Sequence, residues 1–199
     1  MEWHFGGYNE PMNYTERIPI TLPPNVRTKK ISDRSLNEML ESGEISALIG
    51  SSPPRSFQTG SPKVARLFPN YQEVELDYYR RTGIFPIMHI IVIKREIYEK
   101  APWVAVSLYK AFDRAKAAGM RRLEYGATLF CSLPWLGVNL QEVRKHMGKD
   151  PFSYGVEENR KVLETLLEYS YEQGLISQRL KVEELFVRET LSGVDLTEI

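Results

Sequence analysis

Tyr78-Tyr79-Arg80-Arg81-Thr82-Gly83-Ile84-Phe85-Pro86-Ile87-Met88-His89 runs directly into Ile90-Ile91-Val92-Ile93. Two tyrosines, two arginines and a histidine surround a turn punctuated by Gly83 and Pro86, and an unbroken apolar run follows. That run predicts a strand over 87–93. Polar loops fixed to the end of a buried strand are where clefts acquire their chemistry. Arg suits carboxylate recognition because its planar fork makes two parallel charge-assisted hydrogen bonds. His moves a proton readily near neutral pH. The segment reads as an anion-recognition site with an acid/base group.

Upstream, Ser32 or Asp33 can cap a short helix that carries Leu36, Met39 and Leu40 on one face and ends at Gly43. Ile45-Ser46-Ala47-Leu48-Ile49 predicts a buried strand running into the polar loop Gly50-Ser51-Ser52-Pro53-Pro54-Arg55. Helix, glycine turn, strand and loop make an α/β unit, in which ligands sit beyond the strands' carboxyl ends; Arg55 stands there. Short extended segments are expected at 3–6 and 18–22, loop over 56–70 and a mixed segment at 71–79. Downstream, the period predicts helices over 103–118, closed by Gly119, over 140–147, ending at Gly148, and over 157–173, ended by Gly174. A helical turn is expected at 182–186. One strand with three or four helices leaves the second half short of sheet, so the chain reads as part of something larger, completed by a missing lobe or an oligomer partner.

The totals set bounds on function. The 26 basic and 26 acidic residues cancel, so nothing in bulk favours nucleic acid or an anionic membrane. No apolar run approaches the roughly 20 residues of a spanning helix. The first residues lack the form of a secretory signal, which fits a cytoplasmic protein. The single cysteine, Cys131, excludes an internal disulfide and reads as a small core residue. His4, His89 and His146 have no paired metal-ligand spacing, so no metal is expected. Gly6-Gly7 is too short for a phosphate fingerprint, and His146 suits a helix C-terminus.

Further blocks carry a resemblance: Trp3-His4-Phe5-Gly6-Gly7, Glu44-Ile45-Ser46-Ala47-Leu48-Ile49, Pro54-Arg55, Arg66-Leu67-Phe68-Pro69-Asn70-Tyr71, Pro102-Trp103, Leu133-Pro134-Trp135 and Glu183-Glu184-Leu185-Phe186. With 78–89, they make the chain resemble the 4,5-dihydroxyphthalate decarboxylase family, a branch of the type II periplasmic-binding-protein superfamily. The resemblance implies an α/β fold of two lobes around a cleft, here matching the later part of a longer family. Residues 1–83 would be a second-lobe portion and 84–199 the returning part of the first lobe, without most of the first lobe's N-terminal sheet.

The implied reaction removes one carboxylate from an aromatic diacid, giving protocatechuate and carbon dioxide. Each carboxylate of the substrate lies para to a hydroxyl, so an ionised phenol pushes electron density onto the carbon bearing the carboxylate. The enzyme needs a general acid for that carbon, a group favouring the phenolate, and cations for the spectator carboxylate. His89 is assigned as proton donor and Tyr79 to the phenol. Arg55 and Arg81 are carboxylate clamps, and Phe85 or Trp135 a stacking wall. This route requires no cofactor. Plainer readings stand beside these. His89 can be a hydrogen-bonded sheet histidine, Arg80 and Arg81 would point opposite ways on a strand, Tyr78 and Tyr79 can be packing residues, and Trp135 fits a core. A non-catalytic transporter-type solute-binding protein for a carboxylated ligand, or an inactive truncated homologue, are the alternatives.

Overall fold

The computed structural model describes residues 1–13, 22–125 and 130–194. The chain divides into two compact units: Met1–Val74 with Ser170–Ser177, and Glu75–Tyr169 with Gln178–Ile199.

In the first unit, β1 (Glu2–Gly6) pairs in parallel with β2 (Arg27–Ile31), in register from Glu2 opposite Arg27 to Gly6 opposite Ile31. The extended segment expected at 3–6 is therefore present, whereas the one at 18–22 lies outside the described residues apart from Leu22. β2 escapes a reading by hydrophobicity: of Arg27-Thr28-Lys29-Lys30-Ile31 only Ile31 is buried.

Helix α1 (Leu36–Ser42) follows. Its cap is Ser35 rather than Ser32 or Asp33. Ser35 is extended (φ −87°, ψ 153°), its hydroxyl accepts from the Glu38 amide at 3.2 Å, and Glu38 Oε2 accepts from the Ser35 amide at 2.8 Å. This reciprocal box satisfies two end-of-helix donors and holds the Glu38 carboxyl below the usual range, chiefly through the Ser35 backbone hydrogen bond. Gly43 closes the helix in the left-handed region (φ 80°). Ser35→Ala should destabilise the unit by about 1 kcal/mol in denaturant melts, and Ser35→Asp should restore most of the loss.

Ile31, Leu36 and the fully buried Met39 form the core of this unit, with Ile45 and Leu48 packed against them. Residues 45–49 are not a strand. Ile45 and Leu48 turn inward while Ile49 is 81% exposed, so the segment follows the core as irregular chain without a ladder partner. A four-residue helix, α2 (Arg55–Gln58), begins at the end of the polar loop and occupies the start of the loop expected at 56–70. Buried Asn37 ties it to α1, its Oδ1 accepting from the Ser56 amide at 3.0 Å and hydroxyl at 2.6 Å.

Helix α3 (Tyr71–Thr82) crosses the boundary in sequence and replaces the mixed segment expected there. The second unit continues with α4 (Arg95–Lys100), α5 (Trp103–Glu124), α6 (Leu136–Met147) and α7 (Val156–Glu172), then two 3-10 turns at Val182–Glu184 and Arg188–Thr190. Its core is Val156, Leu163 and Val182, with Ile87, Leu167, Phe186 and Leu191 against them. Helix α5 runs through Gly119 instead of stopping there. An interior glycine costs only about 1 kcal/mol, and Arg121 and Arg122 in the last turn complement the helix dipole.

Residues 87–93 are also not a strand. Ile87 reaches the core, but Ile90, Ile91 and Val92 are 56%, 62% and 82% exposed. A strand needs a hydrogen-bonded neighbour, and among the described residues the sheet consists of β1 and β2 alone. Cys131 is exposed rather than a core residue. No described helix is long and apolar enough to cross a membrane.

Candidate functional site

In the first unit the surroundings of Arg55 are built by a tight loop after β1. A β-carbon on Gly7 would lie 1.9 Å from the Glu10 carbonyl oxygen, so only glycine lets the loop close that far. Tyr8 packs across Gly50 and its hydroxyl donates to the Ser52 carbonyl, fixing the loop that leads to Arg55; burial pushes the Tyr8 phenol up. Asn9 Oδ1 accepts from the Arg55 amide at 2.9 Å, and the Arg55 guanidinium bonds Glu10 at 2.5 Å. Both partners of that ion pair are more than half exposed (59% and 71%), so it contributes at most about 1 kcal/mol.

The first unit also holds an arginine that sequence reasoning did not single out as a site residue. The Arg66 guanidinium carbon lies 5.2 Å from the centre of the Phe57 ring and 4.8 Å from that of Tyr71. Residues 9 and 5 positions away in sequence give no periodic signal for such a stack. Only the fold brings them together.

In the second unit, Tyr79 and Arg81 lie on α3, so the opposite-faces reading of Arg80 and Arg81 does not apply: neighbours on a helix are about 100° apart. Arg81 Nε donates to Asp77 Oδ2 at 2.8 Å one turn back. Arg80 donates to His146 Nδ1 at 3.2 Å, while His146 Nε2 lies 2.9 Å from Glu142. Arg has no acceptor, so Nδ1 is the bare nitrogen and the proton sits on Nε2, toward Glu142. The His146 hydrogen bond holds the Glu142 carboxyl below the usual range. Tyr79 is half-buried. Phe85 meets Phe152 edge-on at 5.7 Å. His89 is exposed.

Trp135 is 78% exposed and not a core residue. It precedes α6 with φ 60° and ψ 15°, the one non-glycine residue described with positive φ. A bulky side chain in that region is strained by about 1–2 kcal/mol, and such strain gathers at functional positions. Trp135→Gly should therefore leave stability unchanged or raise it by up to about 1 kcal/mol, since glycine adopts φ > 0 freely. A loss above about 2 kcal/mol in denaturant melts would show that the ring packs after all.

Among the described residues, Tyr79, Arg81, Phe85, His89 and Trp135 make no hydrogen bond or ring contact with one another, and Arg55 belongs to the other unit. A separate polar cluster surrounds Lys116, whose Nζ lies 2.5 Å from Asp150, 3.5 Å from Asp113 and 4.3 Å from the centre of the Tyr154 ring. Burial opposes its charge, but the Asp150 hydrogen bond and both carboxylates outweigh it and raise its pKa. This lysine is fully partnered and reads as structural. The described residues include no group of three or more His, Cys, Asp or Glu placed to hold a metal ion.

No family model matches the chain. It is 35% identical over 187 residues to a 4,5-dihydroxyphthalate decarboxylase of Comamonas testosteroni, an alignment covering 94% of this chain and 56% of that protein. By sequence this chain is similar to proteins named 4,5-dihydroxyphthalate decarboxylase. A second protein of that name, from Pseudomonas putida, is 38% identical over 79 residues, which are 39% of this chain and 30% of that protein. The chain thus spans about half the length of the Comamonas decarboxylase.

Proposed function

We propose that this chain takes part in decarboxylation of a dihydroxylated aromatic diacid of the 4,5-dihydroxyphthalate type. The observation that carries the reading is its similarity to a decarboxylase of that name along nearly its whole length. The residue chemistry is compatible with it. Among the described residues, the exposed Arg55 and Arg81 guanidinium groups are ion-paired only with the exposed Glu10 and Asp77, pairs weak enough for a substrate carboxylate to displace. His89, exposed beside the half-buried Ile87, delivers a proton to the ring carbon bearing the carboxylate. The phenolate's electrons form the new C–H bond and leave a dienone, and the carbon–carboxylate bond then breaks. That bond's electron pair passes into the ring and restores aromaticity as carbon dioxide leaves. Tyr79 steadies the phenolate, and Phe85 or Trp135 lies against the ring.

The architecture proposed with this function is an α/β fold of two lobes, residues 1–83 in one and 84–199 in the other. The parallel β1–β2 pair supports an α/β reading. Additional polypeptide supplying strands would cover Ile90, Ile91 and Val92, which are apolar on both faces as interior strands are.

The test is product analysis with carboxyl-labelled 4,5-dihydroxyphthalate. It uses this chain alone and joined to the part of the Comamonas decarboxylase that lies outside the match. Labelled carbon dioxide together with protocatechuate from either is the expected result. Diacid recovered intact from both, with saturable binding, would instead identify a carboxylate-binding protein without lyase activity.

A further inference from the structure

We propose that Arg66 is a carboxylate-binding residue for an aromatic acid, held ready by the Phe57 and Tyr71 rings. The inference rests on the functional reading above for the kind of ligand, and on the first unit alone for the geometry.

The two rings lie within the distance at which a guanidinium is attracted to an aromatic face, 5.2 and 4.8 Å. Ring faces attract the charge but accept none of the five N–H donors, which lie in the guanidinium plane. Several described arginines spend those donors on acceptors. Arg34 bonds Glu44, Arg55 bonds Glu10, Arg81 bonds Asp77 and Arg160 bonds Glu157. Arg66 has ring partners and no hydrogen-bond acceptor among the described residues. It is both fixed and unspent.

That combination favours a ligand. Ordering a long, mobile side chain opposes binding, and a guanidinium already set by two rings avoids much of that loss. The two parallel donors at its edge match the two oxygens of one carboxylate. Leu67 and Phe68, next in sequence, are 82% and 53% exposed, so apolar surface accompanies the cation as an aromatic acid requires. Arg55, by contrast, must first release Glu10. Unlike Arg34 and Arg55, Arg66 binds without displacing an internal carboxylate.

The experiment combines calorimetry and NMR on the whole chain with phthalate, benzoate and inorganic phosphate as probes. Phthalate and benzoate should shift the Arg66 side-chain Nε resonance, and phosphate should shift it less at equal concentration. Arg66→Gln should weaken phthalate binding by at least about tenfold, equivalent to ~1.4 kcal/mol. Arg66→Lys should recover only part, since an ammonium lacks the fork. Phe57→Leu, which keeps the arginine and removes one ring, should weaken binding by a smaller factor with the fold unchanged by circular dichroism. An Nε resonance unmoved by phthalate, or Arg66→Gln binding within about twofold of the parent, would overturn the assignment. An equal or larger response to phosphate would overturn the preference for carboxylate. Arg66-dependent phthalate binding without carbon dioxide release would leave this inference standing and remove the decarboxylase reading instead.

Discussion

His89→Gln should lower release of carbon dioxide from 4,5-dihydroxyphthalate by 10²–10⁴-fold while changing diacid affinity by no more than about twofold. General acid catalysis supplies a rate factor of that order, and glutamine keeps the size and hydrogen bonding of the side chain without donating a proton. The split between rate and affinity is what marks the role. His89 is exposed and no hydrogen bond to its side chain is present among the described residues, so its replacement removes no internal contact that the fold depends on. A sheet histidine of structural importance would instead lower stability and affinity together. Turnover within about twofold of the parent protein would exclude His89 as the proton donor. Attention would then move to Tyr79, the half-buried phenol one turn before Gly83.

The second large effect concerns folding. Met39→Ala should destabilise the first unit by 2–5 kcal/mol, because Met39 is fully buried and is the hub of the small cluster with Ile31 and Leu36. Against a typical total of about 5–15 kcal/mol this is a large fraction, and in so small a core little remains to collapse around the cavity. Met39→Leu, which conserves volume, should cost less than about 1.5 kcal/mol. Urea melts of the three proteins decide the matter. A loss below about 1 kcal/mol for the alanine variant would mean that this cluster does not hold the unit together.

Local chemistry was legible wherever the sequence carries it locally. The period of Val162, Leu163, Leu166 and Leu167 marks α7, and Gly43 and Gly148 end their helices where expected. The cap of α1 is ambiguous by residue type because Ser32, Asp33 and Ser35 compete there, and only the spacing from Ser35 to Glu38 picks out the box. Strands were the harder part. Residues 45–49 and 87–93 have strand-like composition, but a strand depends on a neighbour that its own sequence does not encode. Conversely, Arg27–Ile31 pairs with β1 through its backbone despite a charged sequence.

The candidate site divides in the same way. Residue types announce Arg55, Arg81 and His89, and their chemistry can be argued from the chain alone. What cannot be read is which cations are already engaged. Glu10 on Arg55 and Asp77 on Arg81 depend on the loop after β1 and on α3 being a helix. Arg66 was part of a recognisable block, yet its place between Phe57 and Tyr71 is a product of the turn that follows α2.

Whether this chain recognises an aromatic diacid is decided by a thermal-shift titration. The chain is melted with increasing 4,5-dihydroxyphthalate, phthalate and protocatechuate. A ligand that binds only the native state adds about 2.7 kcal/mol of stability at a hundredfold excess over its dissociation constant. A saturable rise in melting temperature is expected with both diacids, and a smaller one with protocatechuate, which has a single carboxylate; that result would support recognition of the diacid. A cooperative transition that none of the three ligands moves would contradict it.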